Sequence, residues 1–241
     1  MRFLQLLKNK EQNNNENKAA TIAFFGDSVT QGCFEIYKTG EKSFRTLFDN
    51  EEGYIYKVKK ILSTLYPDAP VNVINGGLNG TSTALAVTRI DRDILNYKPD
   101  LVVICFGLND CHWGVDRIGE FVNNLEIIFK RILETGAEII YMTPNMMNTK
   151  VNDRMSDPHF ISMAETVMKL ENDGVLEKFE EGAKELCKKY NVPVCDCYAK
   201  WKKMAEMGVD TSRLLCNDIN HPSRDMHWLF AHSLIETMFE K

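Results

Sequence analysis

Five short apolar or β-branched runs, at 21–25, 71–74, 101–106, 138–142 and 192–196, recur along the chain with helix-length stretches between them. The run at 101–106, Leu-Val-Val-Ile-Cys-Phe, contains no polar residue. A strand with one wet face alternates apolar and polar residues, so continuous hydrophobicity points to strands covered on both faces, as in a parallel sheet between helices. The separating segments carry the helical period. Phe121, Leu125, Ile128 and Ile132 form one stripe ended by Gly136, and Leu176, Phe179, Ala183, Leu186 and Tyr190 form another. Further helices are predicted at 54–66, 82–95 and 226–239, with Pro67 and Pro99 marking exits. The expected fold class is α/β, a three-layer α/β/α sandwich around a central, mostly parallel five-stranded sheet. In such sheets ligands meet the loops at the carboxyl ends of the strands.

A chain of 241 residues can be served by one hydrophobic core, and no Pro/Gly-rich linker divides it, so 19–241 reads as a single domain. Residues 8–18 are polar throughout and lead to the expectation that 1–18 is a flexible leader. The formal charge of −5 gives no support to a surface that tracks phosphates, so nucleic acid is not an expected partner. The longest apolar run is far below the ~20 residues that cross a bilayer, and the first residues are too interrupted for a signal-peptide core, so no membrane insertion is expected. Seven cysteines, an odd number without regular spacing, read as reduced thiols and favour the cytoplasm.

Chemistry concentrates in four loops. The first strand empties into Gly26-Asp27-Ser28-Val29-Thr30, a tight turn that would set Ser28 at the carboxyl edge of the sheet. The second leads into Asn75-Gly76-Gly77-Leu78-Asn79-Gly80, where glycines let backbone N–H groups approach a ligand. The third leads into Gly107-Leu108-Asn109-Asp110, placing an amide on the same rim. Near the end of the chain, Asp218-Ile219-Asn220-His221-Pro222 sets a carboxylate three residues before an imidazole, a spacing that can bring both onto one side of a turn.

These four blocks, in this order, resemble those of the GDSL esterases and lipases, also called SGNH hydrolases, with Val29 where the family name has Leu. The resemblance spans Gly26 to His221 and implies a flavodoxin-like sandwich. It implies Ser28 as nucleophile, His221 as its base and Asp218 as the acid that fixes the ring tautomer. It also implies an oxyanion hole built from the N–H groups of Ser28 and Gly80 and the side-chain amide of Asn109, favouring Gly80 over Gly76 and Gly77. A serine esterase acting on a small acyl ester, acetyl groups on a carbohydrate included, is the leading expectation. A lipase, lysophospholipase, thioesterase or acyltransferase would share the chemistry, and a non-catalytic carbohydrate-binding module would share the fold.

The remaining polar residues have plainer readings. Asp27 and Asp110 are expected to brace their loops, His112, His227 and His232 to be polar or helix-surface residues, and His159 to lie in a loop. A metal held by Asp218, His221, Asp225 and His227 is the weaker alternative, Cys195 and Cys197 lack paired zinc spacing, and neither a metal nor a cofactor is expected. Cys33 and Cys111 fall near the proposed site without a base to activate them. The long segments 145–159 and 33–50 are expected to set substrate choice.

Overall fold

The computed structural model describes residues 1–40 and 43–240. The chain runs α1 (Arg2–Gln12), β1 (Ala20–Gly26), α2 (Ser28–Gln31), β2 (Cys33–Gly40), β3 (Ser43–Phe48), α3 (Tyr54–Leu65), β4 (Val71–Gly77) and α4 (Thr83–Asp93). It continues through β5 (Leu101–Cys105), α5 (Ile118–Glu134), β6 (Glu138–Met142), α6 (Pro158–Asn172), α7 (Val175–Tyr190), β7 (Val194–Cys195), α8 (Cys197–Glu206) and α9 (His227–Phe239). The five strands expected from their apolar runs form a parallel sheet in the order β4-β1-β5-β6-β7. β1 lies between β4 and β5, with Ile22 to Gly26 opposite Leu101 to Cys105 on one side and Ala20 to Gly26 opposite Val71 to Gly77 on the other.

The first crossover leaves β1 in one direction and the later ones return past it in the other. With right-handed crossovers this reversal puts α3 on one face of the sheet and α4, α5 and α7 on the opposite face. The packing agrees, since α9 lies along α3 while α5 touches both α4 and α7. Helices therefore cover both faces, and Ala23, Phe24, Phe25, Val102, Val103 and Ile104 are fully buried. The reversal falls between β1 and β5, and the loops after these two strands flank the resulting crevice.

Three expectations are corrected. The stretch 1–18 is not a free leader, because α1 buries Phe3 and Leu7 completely, one turn apart on a single face. Its first turn is held by Glu138, whose carboxylate accepts from the N–H groups of Arg2 (2.8 Å) and Phe3 (2.7 Å), donors that no intrahelical carbonyl can reach. The run 192–196 yields only two strand residues. Val192 N–H is taken by Cys187 O (2.9 Å) at the exit of α7, Pro193 has no N–H, and Asp196 caps α8 by accepting from Ala199 N (3.0 Å). His159, expected in a loop, lies in the first turn of α6, where its N–H is capped by Asp157 (2.9 Å); β2 and β3 pair antiparallel beside it.

Candidate active site

Ser28 is presented by a one-turn helix. At the end of β1, Asp27 caps α2 by accepting from Val29 N (3.0 Å), and Ser28 is its first residue. Only glycine can precede this turn, since a Cβ on Gly26 would lie 2.1 Å from Thr30 Oγ1 and 2.7 Å from Cys105 O. The serine is 3% exposed and its Oγ lies 3.0 Å from Nε2 of His221, which comes from the other end of the chain and is equally buried.

The other ring nitrogen determines what His221 can do. Nδ1 is 2.7 Å from the backbone carbonyl of Phe34 in β2. A carbonyl can only accept, so Nδ1 carries the proton and Nε2 presents a lone pair to the serine hydroxyl. This is the tautomer that a general base needs. Burial holds the ring down to about 4, against smaller upward pushes from the Phe34 carbonyl and the charge of Glu35. At neutral pH the base is therefore free.

Asp218 does not take the place expected of it. Its carboxylate accepts from Arg154 Nε (2.8 and 2.9 Å) and Asn152 Nδ2 (3.0 Å) rather than from the ring. The cause is local backbone geometry. Asn217 Oδ1 accepts from the N–H groups of Ile219 (3.1 Å), Asn220 (2.9 Å) and His221 (2.8 Å), and Asp218 itself sits at φ +59°. That fold of the loop gathers three amides inward and turns the Asp218 side chain toward 152–154. The ring contact assigned to Asp218 is made by Phe34, a residue that motif reasoning missed because any residue can supply a carbonyl.

The expected oxyanion donors are brought together by the loops after β1, β4 and β5. Asn109 Nδ2 lies 3.1 Å from Thr81 O and 3.4 Å from Asp27 Oδ2, so it bridges the immediate neighbours of Gly80 and Ser28. Asn79 N–H donates to Gln31 Oε1 (2.7 Å), tying the Gly80 loop to α2. Gly80 adopts φ +71° with open space where a Cβ would be, and neither its N–H nor that of Ser28 has an intramolecular acceptor among the described residues. Gly76 and Gly77 belong instead to β4.

A profile of the GDSL-like Lipase/Acylhydrolase family matches residues 24–229. The chain belongs to this family. Among curated relatives, an acetylxylan esterase of Geobacillus stearothermophilus is 35% identical over 89 residues, which is 37% of this chain and 39% of that protein. An arylesterase of Vibrio mimicus is 31% identical over 96 residues, covering 37% of this chain and 48% of its own. The chain thus matches less than half the length of either. Among solved structures, the acetylxylan esterase Axe2 of Geobacillus stearothermophilus superposes with a TM-score of 0.68 at 21% identity, covering 92% of this chain and 95% of that one. A two-domain esterase active on acetylated mannans, co-crystallized with mannopentaose, gives 0.66 at 20% identity over 98% of this chain and 52% of that one.

Around the serine of this family member sit two buried acids that titrate near neutral pH. Burial raises Asp27 to about 7, aided by the charge of Asp110 and opposed by the Val29 N–H. Burial also raises Asp110 to about 6, although Thr83 donates to it from both N (2.8 Å) and Oγ1 (2.5 Å). Asp110, expected to brace its own loop, thereby braces the start of α4 instead. The competing nucleophiles are silent, because burial pushes Cys33 up to about 12 and raises Cys111 as well. The four residues of the metal alternative are not assembled: Asp218 faces Arg154, and His227 Nδ1 accepts from Tyr54 N (3.0 Å) among Phe34, Tyr54 and Phe230. Beside the His221 loop, a cavity of about 370 Å³ is lined by Glu35, Ile36 and Lys38 of β2, by Met155 to Asp157, and by Cys216 to Ile219. Lys38 and Asp157 join its two walls at 2.8 Å.

Proposed function

We propose that this chain is a serine carboxylic ester hydrolase acting on small acyl esters, with acetyl groups on carbohydrates as the substrate class. The reading is carried by one observation, the 3.0 Å approach of Ser28 Oγ to an unprotonated Nε2 whose ring partner is fixed at Nδ1. As Oγ attacks the acyl carbon, Nε2 takes the hydroxyl proton and the carbonyl oxygen becomes negative. The free N–H groups of Ser28 and Gly80, with the Asn109 amide hydrogen that leaves its long 3.4 Å contact to Asp27, hold that oxygen. His221 then returns the proton to the departing alcohol, leaving an acyl-serine. Water, deprotonated by the same Nε2, releases the acid and restores Ser28.

The acetyl-carbohydrate assignment draws on the relatives and neighbours that are acetylxylan esterases or are active on acetylated mannans. The alcohol side is assigned to the walls contributed by 33–50 and 145–159, which meet at Lys38 and Asp157. Seven unpaired thiols, six of them buried, support assignment to a reducing compartment. The test combines a fluorophosphonate probe with mass mapping and turnover of p-nitrophenyl acetate, butyrate and octanoate and of acetylated xylo-oligosaccharides. Labelling on Ser28, loss of turnover in Ser28→Ala and preference for the shortest acyl chain are expected. Absence of both labelling and turnover would overturn the reading in favour of a binding module.

A further inference from the structure

Among the described residues no carboxylate touches the ring of His221, yet a charged pair sits one residue away from the carbonyl that takes that place. Phe34 supplies that carbonyl, and Glu35 follows it in β2. Arg224, three residues beyond His221, donates to both oxygens of Glu35, at 2.6 and 3.1 Å. The same guanidinium lies over the Phe34 ring at 4.4 Å from its centroid, and its Nε is 3.5 Å from Asp49, just after β3. Asp49 N–H in turn donates to Gly32 O (2.8 Å) at the base of the hairpin. One arginine therefore grips the ring of residue 34, the carboxylate of residue 35 and the return strand, all from the loop that carries the base.

We infer that Arg224 and Glu35 are positioning residues for His221: their ion pair clamps the β2–β3 hairpin onto the histidine loop so that the Phe34 carbonyl meets Nδ1. This rests on the esterase reading above. A two-pronged guanidinium–carboxylate pair fixes orientation as well as distance, which a lysine could not do. The clamp also has an electrostatic part. A carbonyl dipole supports the imidazolium formed during attack less than a full negative charge would, and Glu35 is the carboxylate whose charge acts on the ring. Arg224 holds Glu35 below the usual carboxylate range, so that charge persists into acid. Of the other ionisable groups at this corner, Asp49 lies against Arg224, while burial keeps His227 uncharged and pushes the Cys216 thiol up to about 12.

The test compares Glu35→Gln, Arg224→Lys and Arg224→Ala with the wild type and with Ser28→Ala. Loss of a correctly placed base contact of this kind costs about 10- to 100-fold in kcat, and all three clamp variants should show it with KM changed less than about twofold. In Glu35→Gln the acid limb of the kcat/KM profile should also move to lower pH, because a charge that favours the protonated ring is gone; a purely structural residue would not move it. ¹⁵N-edited NMR of the imidazole provides a readout independent of turnover, with the wild type showing Nδ1-protonated His221 and the Arg224 variants a mixture of tautomers. Unchanged kcat, limb and tautomer in Glu35→Gln and Arg224→Lys would overturn the inference, and these two mild variants suffice to do so if Arg224→Ala fails to fold. Full activity in Ser28→Ala would sink the esterase reading itself, while an inactive Ser28→Ala beside unaffected clamp variants would sink the clamp alone.

Discussion

Turnover should carry an acid limb centred near pH 4, well below the usual 6.5 of a histidine, because burial disfavours the charged ring of His221. The Phe34 carbonyl keeps Nδ1 protonated, so one further proton, at Nε2, removes the base altogether. At about pH 5.5 a base titrating near 4 is roughly 97% free, whereas one titrating near 6.5 is roughly 9% free, a tenfold difference in kcat/KM at a single pH. The assay is initial rates on p-nitrophenyl acetate at subsaturating concentration, with product quantified chromatographically in quenched samples between about pH 3.5 and 8. Circular dichroism at each pH separates loss of the base from loss of the fold. A midpoint between about 6 and 7 would refute the reasoning, since it would require either a hydrated ring or a carboxylate bonded to Nδ1.

Other outcomes follow from single contacts. Asn109→Ala should lower kcat by about 10² to 10³ with the fold intact, and a loss below tenfold would remove its amide from the oxyanion site. Asp218→Asn should cost less than about tenfold in kcat and leave the acid limb in place, because its partners are Arg154 and Asn152; a fall of about 10⁴, the scale of losing a triad carboxylate, would return it to the ring. Leu7→Ala should destabilise the protein by about 2 to 5 kcal/mol in denaturant unfolding, whereas a leader that packed on nothing would give no change.

Legibility in the sequence tracks the kind of group involved. The sheet can be read because runs such as 101–106 are apolar on both faces, a signature that burial between helices imposes directly. Ser28, His221 and Asn109 can be placed on one rim because their chemistry resides in side chains at strand ends or in the loop that faces them. Phe34 cannot, since its contribution is a main-chain carbonyl with no residue preference. Asp218 is misplaced because three residues are not a fixed spatial offset: Asn217 gathers the loop's amides and φ +59° turns the carboxylate outward. Helix α1 escapes because its two anchors, Phe3 and Leu7, are too few to show a period, and its capping carboxylate is the distant Glu138.

Two buried histidines and two buried aspartates around the site pull the pH dependence of stability in opposite directions. His221 and His227, held down to about 4 and about 3, take up no second ring proton in the fold over a pH range where an unfolded chain would. Their stabilisation is present above about 6.5 and is lost as pH falls below it. Asp27 and Asp110, raised to about 7 and about 6, retain protons that an unfolded chain releases near 4, so their contribution is lost as pH rises through that interval. Each group contributes about 1.4 kcal/mol per pH unit between its two values, so between about pH 4 and 6 the opposing slopes offset one another. Removing one histidine should expose the imbalance. In His227→Gln the amide oxygen can still accept from Tyr54 N, but the titration is gone. Relative to wild type, the variant should gain about 2 kcal/mol in unfolding free energy on moving from about pH 6.5 to 4.5, measured by urea titration at both values. Parallel pH dependences in the two proteins would mean that His227 is not buried uncharged, and the offset would then have to arise elsewhere.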